Sequence, residues 1–266
     1  MKSKDTTLTL ERIGKRLSSF RLPALARELG PAFVTAGHAD LLPLVEDVLD
    51  LEFQERHDRR VARLRQASRL PAGKTLATLE RERFPRPLLH KIDQLAESGW
   101  VDEAENVLAF GLPGGGKTHV ACAIGHALIE QGYSVLFTPT FRLVQELLAA
   151  KRDLQLPRAL RKLDRFDLVI LDDIGYVQQA AEEIEVLFTL LSERYERRSL
   201  LITSNLVFSE WDRIFRNPLT TAAAIDRLVH HSVILEFDVP SFRTEDAKRR
   251  GPKNKKGAAP HDEANP

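Results

Sequence analysis

Gly111-Leu112-Pro113-Gly114-Gly115-Gly116-Lys117-Thr118 fits the pattern G-x-x-x-x-G-K-[ST] at every fixed position. Four glycines and a proline in six positions make a poor helix start but a good tight loop. Its backbone N–H groups can turn inward onto an anion, where a Cβ would intrude. The apolar run Val107-Leu108-Ala109-Phe110 before it reads as a buried parallel strand. After it, Val120, Ala121, Ile124, Ala127 and Leu128 recur at helical spacing from 118 to 131, and Gly132 is placed to end the helix. Strand, glycine loop and helix form the setting in which such a loop cradles nucleotide phosphates, helped by the positive end of the helix dipole. Gly111 to Thr118, with His119 directly behind, are therefore the candidate nucleotide-contacting residues, and Lys117 is the loop's side-chain cation.

The remaining chain is long enough, at 266 residues, for one α/β domain and a smaller appendage. A hydrophobic content of 43% fits a globular protein, and no apolar run reaches the length of a membrane span. The N-terminal residues lead into an amphipathic stretch rather than an apolar signal core, and the single cysteine, Cys122, forms no internal disulfide. Both features point to a cytoplasmic location. The net charge of +1 conceals segregation: residues 56–91 hold eleven Lys/Arg against three Asp/Glu, and residues 243–256 hold seven against two. Two basic segments on a near-neutral chain suggest a polyanionic partner such as nucleic acid.

Residues 1–75 read as a small all-helical domain. Leu10, Ile13, Leu17 and Phe20 keep helix spacing; a short segment at 24–29 is closed by Gly30-Pro31. A third helix opens near Asp40, carries Leu41, Val45, Val48 and Leu51 on one stripe, and continues towards Leu70. On it Arg56, Arg59, Arg60 and Arg63 share one face. That face reads either as solvated or as phosphate-contacting, and an absence of acidic partners four residues away favours phosphate. Lys151, Arg152, Arg158, Arg161 and Lys162 form a second candidate surface for DNA. Pro71, Gly73, Pro85 and Pro87 mark a linker over 71–87, followed by a short helix at 88–95. Residues 76–245 alternate strands (134–138, 167–171, 200–203, 233–237) with helices (141–150, 157–163, 181–196, 220–230). This is the pattern of a parallel sheet sandwiched by helices. The basic tail from 246 reads as disordered.

Leu168-Val169-Ile170-Leu171 runs straight into Asp172-Asp173. Paired carboxylates at the end of a buried strand downstream of a phosphate loop suit a Mg²⁺–nucleotide site. Asp172 is assigned to the metal together with the Thr118 hydroxyl, and Asp173 to the attacking water. The next strand ends in Thr203-Ser204-Asn205, and Asn205 is placed to reach the γ-phosphate and that water.

These motifs, followed by Ala224-Ile225-Asp226-Arg227-Leu228-Val229-His230-His231 and Ser241-Phe242-Arg243, resemble the IstB-like ATP-binding proteins, AAA+ ATPases related to bacterial replicative helicase loaders. The likeness spans about residues 8–245. It implies an AAA+ P-loop fold, ATP and Mg²⁺, self-assembly with ATP at subunit interfaces, and a largely sequence-independent hold on double-stranded DNA. It further implies a transposase as partner. By the same resemblance Arg227 matches the arginine that reaches a neighbour's ATP, and Arg243 the sensor arginine within its own subunit. Many AAA+ proteins carry Glu where this chain has Asp173, a methylene shorter, so slow hydrolysis is expected.

The reading is thus an ATPase that assembles on DNA and assists an insertion-sequence transposase. A helicase loader shares the core and differs in its N-terminal partner. A small-molecule P-loop kinase accounts for 111–118 and little else, and a DNA scaffold that binds ATP without hydrolysing it is a third alternative.

Overall fold

A computed structural model of the chain describes residues 2–176, 180–215 and 218–239. Arg243 and the basic tail lie outside these residues. The chain divides into two compact units, Met1–Ser68 with Ile129–Gly132, and Arg69–Leu128 with Tyr133 onward.

The first unit holds α1 (Lys2–Ser19), α2 (Pro23–Thr35) and α3 (Leu42–Ser68). Ile13, Leu17 and Phe20 of the first stripe are buried with Leu42, and Leu10, Leu29, Val45, Leu49 and Phe53 pack against them. Two expectations need correction here. Gly30-Pro31 does not close α2: Pro31 sits inside the helix, which ends at Thr35. Gly30 is buried against Leu10 of α1, where a Cβ would collide, so this glycine serves close helix packing rather than termination. On α3 the inward stripe is Leu42, Val45, Leu49 and Phe53, whereas Leu41, Val48 and Leu51 are exposed. The helix carries apolar residues on two sides, so periodicity alone does not choose the buried one.

The second unit contains α4 (Arg86–Leu95), α5 (Gly99–Asp102), β1 (Asn106–Gly111), α6 (Lys117–Glu130), β2 (Val135–Pro139), α7 (Thr140–Arg152) and α8 (Leu156–Leu163). These are followed by β3 (Leu168–Asp172), α9 (Ala181–Arg194), β4 (Ser199–Ser204), α10 (Asp212–Phe215), α11 (Pro218–Val229) and β5 (Ser232–Phe237). The five strands form one parallel sheet in the order β2-β3-β4-β1-β5. Strands buried on both faces explain the unbroken apolar runs at 107–110 and 168–171. Leu108, Phe110, Val169, Leu171, Leu200 and Ile202 point to the face covered by α7, α8, α9 and α11. The alternate residues face the other way, where Gly125 lets α6 approach the Ile170 side chain. This is the α/β sandwich expected from the alternation of elements. Arg194 is buried among the carbonyls of Leu163, Phe166, Asp167 and Ser199, which tie the end of α9 to the starts of β3 and β4. Burial pulls its guanidinium down to about 10, still charged at neutral pH. Among the described residues no helix is long and apolar enough to cross a membrane.

Candidate nucleotide site

The sheet's carboxyl edge gathers the loop and the paired aspartates. Gly114 and Gly116 adopt φ of +84° and +92°, conformations that disfavour any side chain. Gly111 passes so close to the Phe237 carbonyl of β5 that a Cβ would strike it. Lys117 opens α6 with its ammonium largely buried, donating to the carbonyls of Gly111 (2.6 Å) and Leu112 (2.9 Å). The side chain thus lies along the loop, with its charge at the loop's mouth.

Thr118 Oγ1 donates to Asp172 Oδ1 at 2.8 Å. Thr203 Oγ1 donates to the same oxygen at 2.8 Å and accepts the Asp173 N–H at 2.8 Å. Thr140 Oγ1 donates to the Asp172 carbonyl at 3.0 Å. One strand end is therefore pinned from α6, β4 and α7 together. Asp173 takes a left-handed φ of +61°, a conformation in which Asp is several-fold commoner than most residues. Its bond to Thr203 fixes that turn. Thr203 carries no motif of its own in the sequence; its signal is a hydroxyl at the carboxyl end of the strand between β3 and β1.

The Asn205 carboxamide lies against Gly175, in the 3₁₀ turn Ile174–Tyr176 that follows Asp173, where a Cβ would meet its Oδ1. That oxygen is buried without a hydrogen-bond partner among the described residues. Cys122 is also buried, and burial pushes its thiol up to about 12, so it stays an inert core group.

The segment read as a linker is part of the site. Residues 76–78 and 81–83 form 3₁₀ turns, the first closed by a reciprocal Thr75–Thr78 cap. With the loop they enclose a cleft of about 240 Å³ lined by Lys74, Thr78, Leu79, Glu80, Phe84, Gly114, Gly116, Lys117, Thr118 and His119. His119 Nε2 lies 3.1 Å from Thr78 Oγ1 and 3.2 Å from the Thr75 carbonyl, so this ring anchors the segment to the loop helix. Arg81 grips Asp93 of α4 through two bonds of 2.9 and 2.7 Å. Hydrogen bonding to the guanidinium holds the Asp93 carboxyl below its usual range and raises Arg81 in turn. Prolines and glycines marked a break in helical pattern, but a break in pattern does not distinguish a free linker from a folded wall.

Arg227 is not with this group. Its Nη1 donates to the Ala223 carbonyl at 3.0 Å, and its guanidinium sits 5.0 Å from the Phe188 ring centroid. It lines a separate cleft with Asn106, Glu196 and His231 at the amino ends of β1 and β5. The length of β1, roughly 16–20 Å for six residues, separates that cleft from the glycine loop.

All four arginines of the α3 stripe are exposed, but the expected lack of acidic partners does not hold. Glu52 and Glu55 stand four residues before Arg56 and Arg59 and pair with them at 2.5 and 3.2 Å. Arg56 lowers the Glu52 carboxyl mainly through its hydrogen bond. Arg60 donates to the Gly132 carbonyl at 2.9 Å, and Arg63 to the Arg59 carbonyl at 3.4 Å. On the core, Lys151 pairs with Glu185 and Arg152 with Glu182, while Arg158, Arg161 and Lys162 are exposed on α8.

A family model described as IstB-like ATP binding protein matches residues 16–250. A protein of Sinorhizobium fredii described as an insertion sequence ATP-binding protein is 44% identical over 251 residues, covering 93% of this chain and 84% of that one. Among solved structures, AMPPCP-bound DnaA from Aquifex aeolicus superposes with a TM-score of 0.55 at 17% identity, over 69% of this chain and 56% of that one. The DnaC helicase loader superposes with a TM-score of 0.51 at 16% identity, over 66% and 99%. At such identities the likeness is one of fold, the AAA+ P-loop architecture shared with replication initiators and helicase loaders. The chain belongs to the family of IstB-like ATP binding proteins.

Proposed function

We propose that this protein is an ATPase that assembles on DNA and assists an insertion-sequence transposase, with each nucleotide site completed by a neighbouring copy. The observation that carries the ATPase part is the convergence of the Thr118 and Thr203 hydroxyls on Asp172, with Thr203 also accepting the Asp173 N–H, beside the glycine loop. Loop N–H groups and the Lys117 ammonium bind the β- and γ-phosphates. Binding requires that ammonium to exchange its bonds to the Gly111 and Leu112 carbonyls for phosphate oxygens. Thr118 Oγ1 and Asp172 Oδ1 are hard oxygens 2.8 Å apart, a donor set that fits Mg²⁺. When bound, Mg²⁺ supplies neutralisation of the phosphate charge that develops as the γ-phosphoryl group leaves.

Asp173 orients the attacking water and accepts its proton, and Asn205 shares that orientation through the oxygen now packed at Gly175. Arg227 acts on the neighbour's nucleotide; its distance from its own loop along β1 supports that direction. Arg243 is assigned the sensor role within its own subunit. The shorter Asp173 carboxylate makes turnover slow, as suits a switch that is set by ATP binding and reset by hydrolysis.

DNA is held through phosphates by the α3 arginines or the α8 surface, so binding is largely independent of base sequence. The exposed pairs on α3 are weak enough to exchange for phosphates. A transposase as partner is supported by the insertion-sequence relative. A helicase-loader role has only the shared fold in its favour. Asp173→Asn tests the assignment of chemistry: ATP binding and DNA assembly persist while hydrolysis is lost, and the assembled state is trapped. Turnover at the parental rate would remove Asp173 from the mechanism.

A further inference from the structure

Three exposed side chains at the amino edge of the sheet are used by nothing described so far. His230 and His231 lie between the end of α11 and the start of β5, and Glu196 follows α9. One ligand atom from each lies within 4.8 Å of the other two. Glu196 Oε1 is 4.0 Å from His230 Nδ1 and 4.0 Å from His231 Nε2. The two imidazoles stand edge to face with centroids 4.1 Å apart. Glu196 has a left-handed φ of +55°, uncommon for a residue other than glycine. That turn brings the carboxylate back towards the histidines.

The surroundings favour a cation. α9, of 14 residues, and α11, of 12, both end here, so their negative dipole ends converge on the cluster. Glu103 and Glu105 line the same cleft, against the single cation Arg227 among its lining residues. Tyr195 OH lies 3.2 Å from His230 Nδ1.

We propose that Glu196, His230 and His231 form a surface site for a borderline divalent transition ion, Zn²⁺ by preference. Two imidazoles and one carboxylate are the donor set of Zn²⁺ and its neighbours, whereas Mg²⁺ favours oxygen and keeps its waters. Bond lengths of about 2.0–2.2 Å place tetrahedral ligand atoms roughly 3.3 Å apart. Closing from separations of 4.0 Å to the carboxylate, and at most 4.8 Å within the triad, is a matter of side-chain rotation, and all three side chains are more than half exposed. Three protein ligands leave the fourth position to water. The site lies a strand's length from the Thr118–Asp172 pair and is distinct from it in donor type. It requires neither ATP nor assembly.

The test uses the untagged full chain, stripped with a chelator, in excess Mg²⁺. Zn²⁺ is titrated in competition with a chromophoric chelator, and Co²⁺ is followed by its visible absorption. One equivalent should bind, with Co²⁺ bands of a nitrogen and oxygen environment. Glu196→Gln, His230→Ala and His231→Ala should each weaken it about tenfold or more, and the double histidine variant should abolish it. Circular dichroism and Tm of that double variant should match the parent, because the side chains are exposed. No bound equivalent in the parent, or an undiminished one in a folded double variant, would overturn the site.

Discussion

The two ends of one parallel sheet are built on different terms. At the carboxyl ends of β1, β3 and β4 the candidate metal and water residues are fixed by their neighbours: Thr118 and Thr203 hold Asp172, and Thr203 holds Asp173. At the amino ends of β1 and β5, Arg227 is held, among the described residues, by its own helix and an aromatic face, and none of the glycine-loop residues lines its cleft. The first end holds the candidate nucleotide site; the second, on the function proposed above, would complete a neighbour's. Pre-organised polar groups in a partly buried setting are costly to misplace. An arginine that serves a neighbour must instead stay reachable. The contrast is what the proposed sharing of a site between copies would require.

The largest effect should come from the complete end. Lys117→Ala removes two charge-assisted hydrogen bonds to phosphate, roughly 3 kcal/mol, or about a hundredfold or more in nucleotide affinity. Calorimetric titration with a non-hydrolysable ATP analogue measures this directly, and parental affinity would remove the loop from the account. Thr203→Val tests whether the pinning matters. It leaves the Asp173 N–H without its acceptor and Asp172 with one hydroxyl fewer, at a site where Thr203 is 1% exposed. The expected cost is about 2 kcal/mol, a Tm lower by about 4–8 °C, and slower hydrolysis. Thr203→Ser should restore most of it; a silent Thr203→Val would show the network to be incidental.

The strands, their parallel alternation and the phosphate loop were legible because each is written in local sequence: apolar runs, glycines, a lysine. Strand ends differ from expectation by about a residue, as at β1, expected at 107–110 and found at Asn106–Gly111. Features set by tertiary contact were not legible. The packing of Gly30 in α2 depends on Leu10 of α1, and the choice between two apolar faces of α3 depends on its partners. The wall at 74–84 is made by His119 and Asp93, residues far away in sequence. The pairs of Glu52 with Arg56 and Glu55 with Arg59, by contrast, follow from their four-residue spacing alone.

A smaller effect separates the candidate DNA surfaces. Substituting Arg56, Arg59, Arg60 and Arg63 by Gln should lower the slope of log affinity against log salt by up to about 3–4, with ATP affinity unchanged. An unchanged slope would move DNA contact to Lys151, Arg152, Arg158, Arg161 and Lys162, or to the basic tail.

The most direct measurement of the shared-site account is DNA-stimulated ATP hydrolysis in mixtures of Arg227→Ala and Lys117→Ala. The first variant supplies an intact phosphate loop without the arginine; the second supplies the arginine without the loop. Each alone should be nearly inactive, and mixtures should regain part of the parental rate, greatest near equal proportions, at interfaces that pair a good loop with a good arginine. Two folded, DNA-binding variants that show no recovery at any ratio, or a parental rate per subunit that does not change with protein concentration, would contradict the account.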